Sequence, residues 1–518
     1  MLAFLYAIDL APWLPSFNKP LLTSSQMINH RNNFPRFTPL LGLSILWILS
    51  ACPAYLSAQE ETAKPSDHQP ATPDEQQQAK PGAEEASRPD FDKMTAREFF
   101  GLIDFGNSYL AMFVDGERLG NSEQEAVVRG LTRIRRLQPH RITHWLKLSV
   151  PWNELATHPA EHRLEIYLLT GTVEAIRRQM VPEEAVSTVG IPFYYEVDVR
   201  LDQDNGTVPG TIVVEKLPAA WEANFEQVDA IRGQPFSCPG VFLKTFQAEP
   251  NETGYIFATS KISWHPDRVD ALLGVTPAMV RLAKQGMDIG ELSYIQDRAK
   301  FEGREREPFY QMLAAVGRLP FGQQTPTVEL SVSDLLTLPR IGLMVAPEKY
   351  RAEFIDLAGV CRRITRIEVD DADIQARLGI DHYFEVSIFV PIPAPIVSQR
   401  PGDEASRKEF AHEYPVLVCV SELPEGIQEG DQLHLPVAAT GAFFKLWAYR
   451  SPFMSGQEHT RRQISPLLIA ESLKEQSQVG EPEVNQFVLV IVLILGGVIA
   501  LGGTMGMIFS WKKHPRRR

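Results

Sequence analysis

The 518-residue chain repeats itself, and that repeat constrains its architecture more than any single motif does. Arg163, Glu165 and Gly171 recur as Arg351, Glu353 and Gly359, a constant spacing of 188 residues. Gly190, Tyr194, Glu196 and Val197 return as Gly379, Tyr383, Glu385 and Val386, and Leu217-Pro218 returns as Leu423-Pro424. Gly240, Phe242 and Lys244 reappear as Gly441, Phe443 and Lys445, and Ile262-Ser263 as Ile464-Ser465. The order never changes, and the spacing drifts only where loops take insertions. A chain of this form is expected to build one fold twice.

Each repeat reads as a helical preface followed by a mostly β body. In the first, Ser122 with Glu125 forms a capping box ahead of Val127, Leu131 and Ile134, an apolar stripe at helical spacing. In the second, Pro308 takes a first helical position before Phe309, Leu313 and Val316. Arg136-Leu137 and Arg318-Leu319 close the two helices, and Thr95 with Glu98 and Thr276-Pro277 mark further starts. The bodies open with a long strand holding a central glycine, 164–176 or 354–367. A second strand follows (194–201 or 383–390), then a third (211–215 or 415–421) ended by Leu-Pro. A fourth passes through Gly-x-Phe-x-Lys and a short last one through Ile-Ser. Five strands, a bent first strand and a helix or loop between the third and fourth resemble an OB-like barrel, with a small sandwich as the alternative. Gly171 or Gly359 relieves crowding where the first strand bends. The expected fold class is α+β: two tandem homologous modules, each a helical preface plus a small five-stranded OB-like barrel or sandwich, followed by one C-terminal transmembrane helix.

That last helix comes from residues 487–510, which carry no charge. At 1.5 Å per residue they span about 36 Å, enough for a hydrocarbon core of ~30 Å with some tilt. Lys512, Lys513, Arg516, Arg517 and Arg518 follow at once, so the positive-inside rule puts the tail in the cytoplasm and everything before it outside. From Met27 the chain reads as a secretory signal: His30, Arg31 and Arg36 precede an apolar run over 39–49 and then small residues. Leu49-Ser50-Ala51-Cys52 resembles a bacterial lipobox; cleavage after Ala58 and an uncleaved anchor over 37–58 are the alternatives. Residues 1–26 fit no signal pattern, which makes Met27 a candidate start.

The expected division is therefore an N-terminal extension and signal (1–58), a disordered acidic linker (59–91), module 1 (92–268) and module 2 (269–472). A short linker (473–485), the transmembrane helix (486–511) and a basic tail (512–518) complete it. Residues 59–90 lack Val, Ile, Leu, Met and aromatics, so they have nothing to bury. The formal charge is −13; setting aside the five cations of the tail and the net +2 of residues 1–51 leaves −20 on residues 52–511. So acidic an ectodomain repels phosphate backbones, which argues against nucleic acid as a partner.

The chemistry-bearing patterns are few. His158-Pro159-Ala160-Glu161-His162 has the His-x-x-Glu-His spacing of inverted zinc peptidases, in which two histidines on one helix face hold Zn²⁺ and the glutamate serves as base. Pro159 interrupts it, a strand follows almost at once, and the second copy has Pro347-Glu348-Lys349-Tyr350 there, so a polar turn is the favoured reading. Cys361 and Cys419 align with Val173 and Val213, as small buried side chains would; Cys238 is the third cysteine of the exported part, and a Cys361–Cys419 bridge forms only if their strands adjoin. Lys244 and Lys445, with Glu196 and Glu385, are either a shared binding face or buried pairs that fix the barrel, and the second is favoured. Asp370-Asp371-Ala372-Asp373 lacks the glycine and distal glutamate of an EF-hand and reads as a solvated turn. Gly502 and Gly506 give a Gly-x-x-x-Gly that would pair two membrane helices. There is no P-loop, dinucleotide fingerprint, Gly-x-Ser-x-Gly elbow or His-Glu-x-x-His.

In layout the chain resembles exported bacterial single-pass membrane proteins with duplicated domains, a group of uncharacterised role. The expectation is a periplasmic, membrane-anchored binding or scaffolding protein of the cell envelope, not an enzyme, with no cofactor, no catalytic or metal residue, and binding residues unassigned. Its expected partners are the lipid bilayer through the C-terminal helix, envelope proteins and a second copy of the chain. The alternative is an envelope hydrolase, metal-dependent through His158, Glu161 and His162.

Overall fold

Alternation of apolar and polar residues over long stretches drives ten strands into two closed barrels. The computed structural model describes residues 93–320, 324–400, 403–451, 454 and 462–476. The expected extension and signal (1–58, with Cys52 and Ala58), the expected linker (59–91) and the expected transmembrane helix (486–511, with Gly502 and Gly506) and basic tail (512–518) lie outside the described residues. Among the described residues no helix is long and apolar enough to cross a membrane. Contacts divide the chain between Glu85 and Ala86, and every described residue belongs to the second unit.

The first barrel consists of β1 (Ile166–Met180), β2 (Phe193–Gln203), β3 (Gly206–Val214), β4 (Pro235–Glu249) and β5 (Glu252–Thr259). β1, β2 and β3 pair antiparallel in sequence, β3 lies parallel to β5, β5 pairs with β4, and β4 returns to β1. The second barrel uses β6 (Phe354–Glu368), β7 (His382–Pro391), β8 (Glu413–Val420), β9 (Gly430–Tyr449) and β10 (Gln463–Ala470) with the same neighbours and the same directions. Both show the 1-2-3-5-4-1 closure of an OB-like barrel, not a sandwich. A hairpin, Ile396–Arg400 with Asp403–Phe410, is inserted between β7 and β8 only.

The glycine in each first strand has a measurable reason. A Cβ on Gly171 would fall 2.0 Å from the Arg200 carbonyl oxygen, and one on Gly359 would fall 2.3 Å from that of Phe389. Only glycine lets the neighbouring backbone pass so close. The loops after β1 and β6 each fold into a short helix, Glu183–Val189 and Ala372–Leu378, that stops at Gly190 (φ 69°) and Gly379 (φ 73°) in the left-handed region.

Several boundaries differ from the sequence reading. The helix of the first preface, α1 (Gln124–Ile134), is preceded by a tight turn in which Glu123, not Glu125, reaches back to the Gly120 N–H at 2.9 Å; Glu125 pairs with Arg129 instead. The corresponding helix of the second preface, α2 (Arg306–Gly317), begins two residues before Pro308. The Ile-Ser match is accidental. Ser263 lies beyond β5 and makes a two-residue pairing with β4, whereas Ile464 and Ser465 open β10; the residue opposite Lys244 is Ile256, and the residue opposite Lys445 is Leu467. A two-residue match carries too little information to fix register.

The interior of the first barrel is continuous with α2, with the helix Pro277–Ala283 and with the outer face of the second barrel, through residues such as Phe257, Trp264, Leu282, Phe309, Leu313, Phe444 and Leu467. The second barrel has its own interior, and the first preface covers the outer face of the first barrel. The second preface is thus clamped between two β bodies, and the packing does not break near residue 268.

Candidate functional site

The repeated charged residues meet the prefaces. In each Gly-x-Phe-x-Lys strand the register shifts between the phenylalanine and the lysine, at Phe242/Lys244 and Phe443/Lys445. Such a bulge sends two consecutive side chains to one side. Phe443 therefore enters the barrel core, while Phe444 and Lys445 both turn toward the preface. Lys244 Nζ lies 2.6 Å from Glu123 Oε1, and Lys445 Nζ lies 2.6 and 2.8 Å from the two oxygens of Glu305. All four side chains are buried. Burial pulls the Lys445 ammonium below its ordinary pKa, although Glu305 opposes that shift.

A second pair completes the latch. Arg163 bonds Asp115 at 2.6 Å and Arg351 bonds Asp297 at 2.5 Å. The other oxygen of each aspartate accepts a strand N–H, from Thr245 at 3.1 Å and Leu446 at 2.8 Å. Each glutamate accepts a preface loop N–H on the same Oε1 that its lysine bonds, from Val114 at 2.9 Å and Gln296 at 2.8 Å. Asp115 and Glu123 stand 182 residues before Asp297 and Glu305, so one four-charge constellation occurs twice. The sequence reading favoured buried pairs for the lysines, and the burial agrees; it missed their partners, because the signal was a lone Asp and Glu eight residues apart in unaligned preface loops.

Glu196 and Glu385 lie elsewhere, opposite Val213 and Cys419 on the outer barrel faces. Each lines a cleft between preface and barrel. The first, about 360 Å³, is polar: Glu196 and Asp198 face Arg177, with Arg118 and Leu119 from the preface and Ile256 from β5. The second, about 450 Å³, is aromatic: Phe301, Phe309, Tyr310, Tyr383 and Trp447 surround Glu385, above Cys419 and Leu467. Burial raises the Glu385 carboxyl and the Tyr310, Tyr383 and Cys419 groups above their ordinary values, so the thiol is not a nucleophile near neutrality. A third cleft, about 690 Å³, lies between the first barrel and the start of the second preface. There Lys261 bonds Glu291 at 2.6 Å and Asp288 at 3.1 Å, while Asp288 also accepts the N–H groups of Trp264 and Gly290.

The remaining sequence candidates do not assemble. His158 lies between two short helices, Trp152–Thr157 and Pro159–His162, and His162 ends the second. His158 bonds Thr157 at 2.9 Å, and His162 bonds Glu165 at 2.9 Å, not a shared centre with Glu161. Among the described residues no group of three or more His, Cys, Asp or Glu could hold a metal ion. Asp371 is a helix cap, accepting the N–H groups of Asp373 and Ile374 and pairing with Arg306; Asp373 pairs with Arg377. That stretch is therefore a helix start, not a solvated turn. Cys238, Cys361 and Cys419 are free and buried. Cys361 on β6 and Cys419 on β8 are separated by β7 and belong to different core clusters, so the bridge that the sequence allowed does not form.

No family model matches the sequence, and no curated protein does. Among solved structures, a small single-stranded DNA-binding protein from Streptomyces coelicolor is similar over 24% of this chain and 94% of its own, at 12% identity and a TM-score of 0.14. A single-stranded DNA-binding protein from Thermus aquaticus is similar over 61% of this chain and 96% of its own, at 10% identity and a TM-score of 0.13. Fission yeast Pot1 with single-stranded DNA is similar over 63% and 88%, at 12% identity and a TM-score of 0.15. Scores this low carry no function to the present chain. One expectation does not stand: net charge argued against nucleic acid, and of these three structures two are named as single-stranded DNA-binding proteins and the third holds single-stranded DNA. Net charge sums over every face and is silent about any one of them, so that exclusion is withdrawn.

Proposed function

We propose that the protein is a duplicated, non-catalytic binding or scaffolding protein, anchored by residues 486–511 with its modules outside the cytoplasmic membrane. One observation carries the binding reading. The four charged positions matched between the halves, Asp115/Asp297, Glu123/Glu305, Arg163/Arg351 and Lys244/Lys445, are all spent on internal latches. The matched clefts beside them have instead diverged, one charged and one aromatic. Retention of the scaffold with divergence of the surface is what two adapting recognition sites require, whereas a duplicated catalytic centre would keep its reacting groups. The anchor and its orientation rest on the uncharged run over 487–510 and the five cations behind it.

The test is crosslinking in cells followed by affinity purification of the full-length chain from membranes. The reading expects the protein in the membrane fraction, with its modules accessible to protease from outside the cytoplasm and one or more partners captured reproducibly. Recovery from the soluble fraction defeats the anchor. A stoichiometric metal in the purified chain, with hydrolytic activity lost on chelation, defeats the non-catalytic role.

A further inference from the structure

We propose that the aromatic cleft of the second module is a recognition site for a methylated ammonium group. This goes beyond the envelope reading and does not depend on where the protein resides.

Its walls come from both layers of the module: Phe301 and Phe309 with Tyr310 from the preface, Tyr383 from β7 and Trp447 from β9. Phe309 is the hub, meeting Phe301 at 88°, Tyr310 at 74° and Tyr383 at 65°. Phe444 packs behind Phe301 and Phe309, so the network holds these rings in fixed orientations at the cleft. A cation at the face of an aromatic ring gains from the ring quadrupole, and the gain grows as water is excluded.

The charges around the cleft select sign. Glu385 is only 17% exposed in its side chain, and the cation paired with it, Arg363, stands 3.3 Å away and is 48% exposed. Burial accordingly holds the Glu385 carboxyl above its ordinary value. Its anionic form is under-compensated, and a cation entering the cleft supplies what Arg363 does not. Arg306 also lines the space, but its guanidinium is committed to Asp371. Glu302 adds a second carboxylate at the rim, beside Arg304 at 3.1 Å.

A methylated ammonium suits this wall better than a bare one. An NH₃⁺ needs three hydrogen-bond acceptors on burial, and aromatic edges offer none; a trimethylated nitrogen has no N–H to satisfy and spreads its charge over methyl groups that pack against rings. The cleft of about 450 Å³ admits a small organic cation without rearrangement. The matched cleft of the first module is the internal control, because Leu119 replaces Phe301 and its lining holds no aromatic ring.

The experiment is calorimetric titration of the full-length protein, in a detergent without a choline headgroup, with choline and with its neutral carbon isostere 3,3-dimethyl-1-butanol. Choline should bind at one site and the isostere at least about tenfold more weakly, since the two differ in charge alone. Trp447→Ala and Glu385→Gln should each lower choline affinity by about tenfold, and Trp447→Phe should retain most of it. Thermal melting of each variant guards against unfolding. Competition by a short-chain, water-soluble phosphatidylcholine distinguishes the source: displacement of choline assigns a lipid headgroup, and its absence alongside choline binding assigns a free cation, both upholding the site. Equal affinity for choline and the isostere, no choline binding, or binding indifferent to Trp447→Ala overturns the proposal.

Discussion

Lys445 Nζ sits 2.6 Å from Glu305 Oε1, and neither side chain reaches solvent. The pair joins the fourth strand of a barrel to the turn that leads into helix α2 of its preface, and Lys244, 201 residues earlier, does the same with Glu123 ahead of α1. Removing one partner leaves the other charge buried and unpaired, which costs roughly 3–5 kcal/mol. Glu305→Leu and Lys445→Met should therefore each lower the denaturation midpoint sharply. The double variant, which leaves no orphan charge, should recover a substantial part of the loss. Denaturant unfolding of the three variants against wild type checks this; a double variant as unstable as the sum of the singles would refute the latch.

Gly171 and Gly359 should tolerate no side chain. A methyl group at either site would press on a carbonyl oxygen of the next strand at 2.0 or 2.3 Å. Relief demands that two hydrogen-bonded strands separate, so Gly171→Ala and Gly359→Ala should each destabilise by roughly 1–3 kcal/mol or more. Gly303→Ala, with nothing within 4 Å, is the control and should melt close to wild type.

Acid should loosen the second preface. Burial pushes the Glu307 carboxyl up, but hydrogen bonds from Arg377 and Gln311 outweigh it and hold the group below its ordinary value of 4.5. A carboxyl depressed in the folded state stabilises the protein above its unfolded pKa and loses that contribution as pH falls through the folded one. Stability should thus decline below about pH 4.5. Arg377→Met removes the 2.9 Å contacts to Glu307 and should flatten that part of the stability–pH curve measured by thermal melting.

The three cysteines should stay silent in the native state. Cys238, Cys361 and Cys419 are buried and unpaired, and burial raises each thiol, Cys238 to about 12 and Cys361 to about 11. A thiol-reactive probe should label none of them in native protein and all of them after denaturation, and a reductant should leave the melting temperature unchanged. A Cys361–Cys419 peptide in a non-reducing digest would contradict the strand order.

Legibility in the sequence depends on how far apart the cooperating residues stand. Strand count, the bent first strand and the exceptional glycines were readable, because each depends on alternation and on backbone crowding within one segment. The partner of Lys244 was not, because Glu123 lies 121 residues away and looks like any surface glutamate. The Ile-Ser match misled because it lacked the register that hydrogen bonding supplies. The His158–His162 spacing failed for a local reason, the helix break at His158 just before Pro159.

Hydrophobic period and glycine placement are properties of short windows, so the repeated order of strands and turns is written in the chain alone. Three-dimensional packing was needed to turn Lys244 and Lys445 outward at a bulge and make them latches. It also placed the second preface between two β bodies, and gathered Phe301, Tyr383, Glu385 and Trp447 around one cleft. Those outcomes depend on contacts between segments more than fifty residues apart, whose closure is settled by the packing of the whole and leaves no periodic trace in the chain.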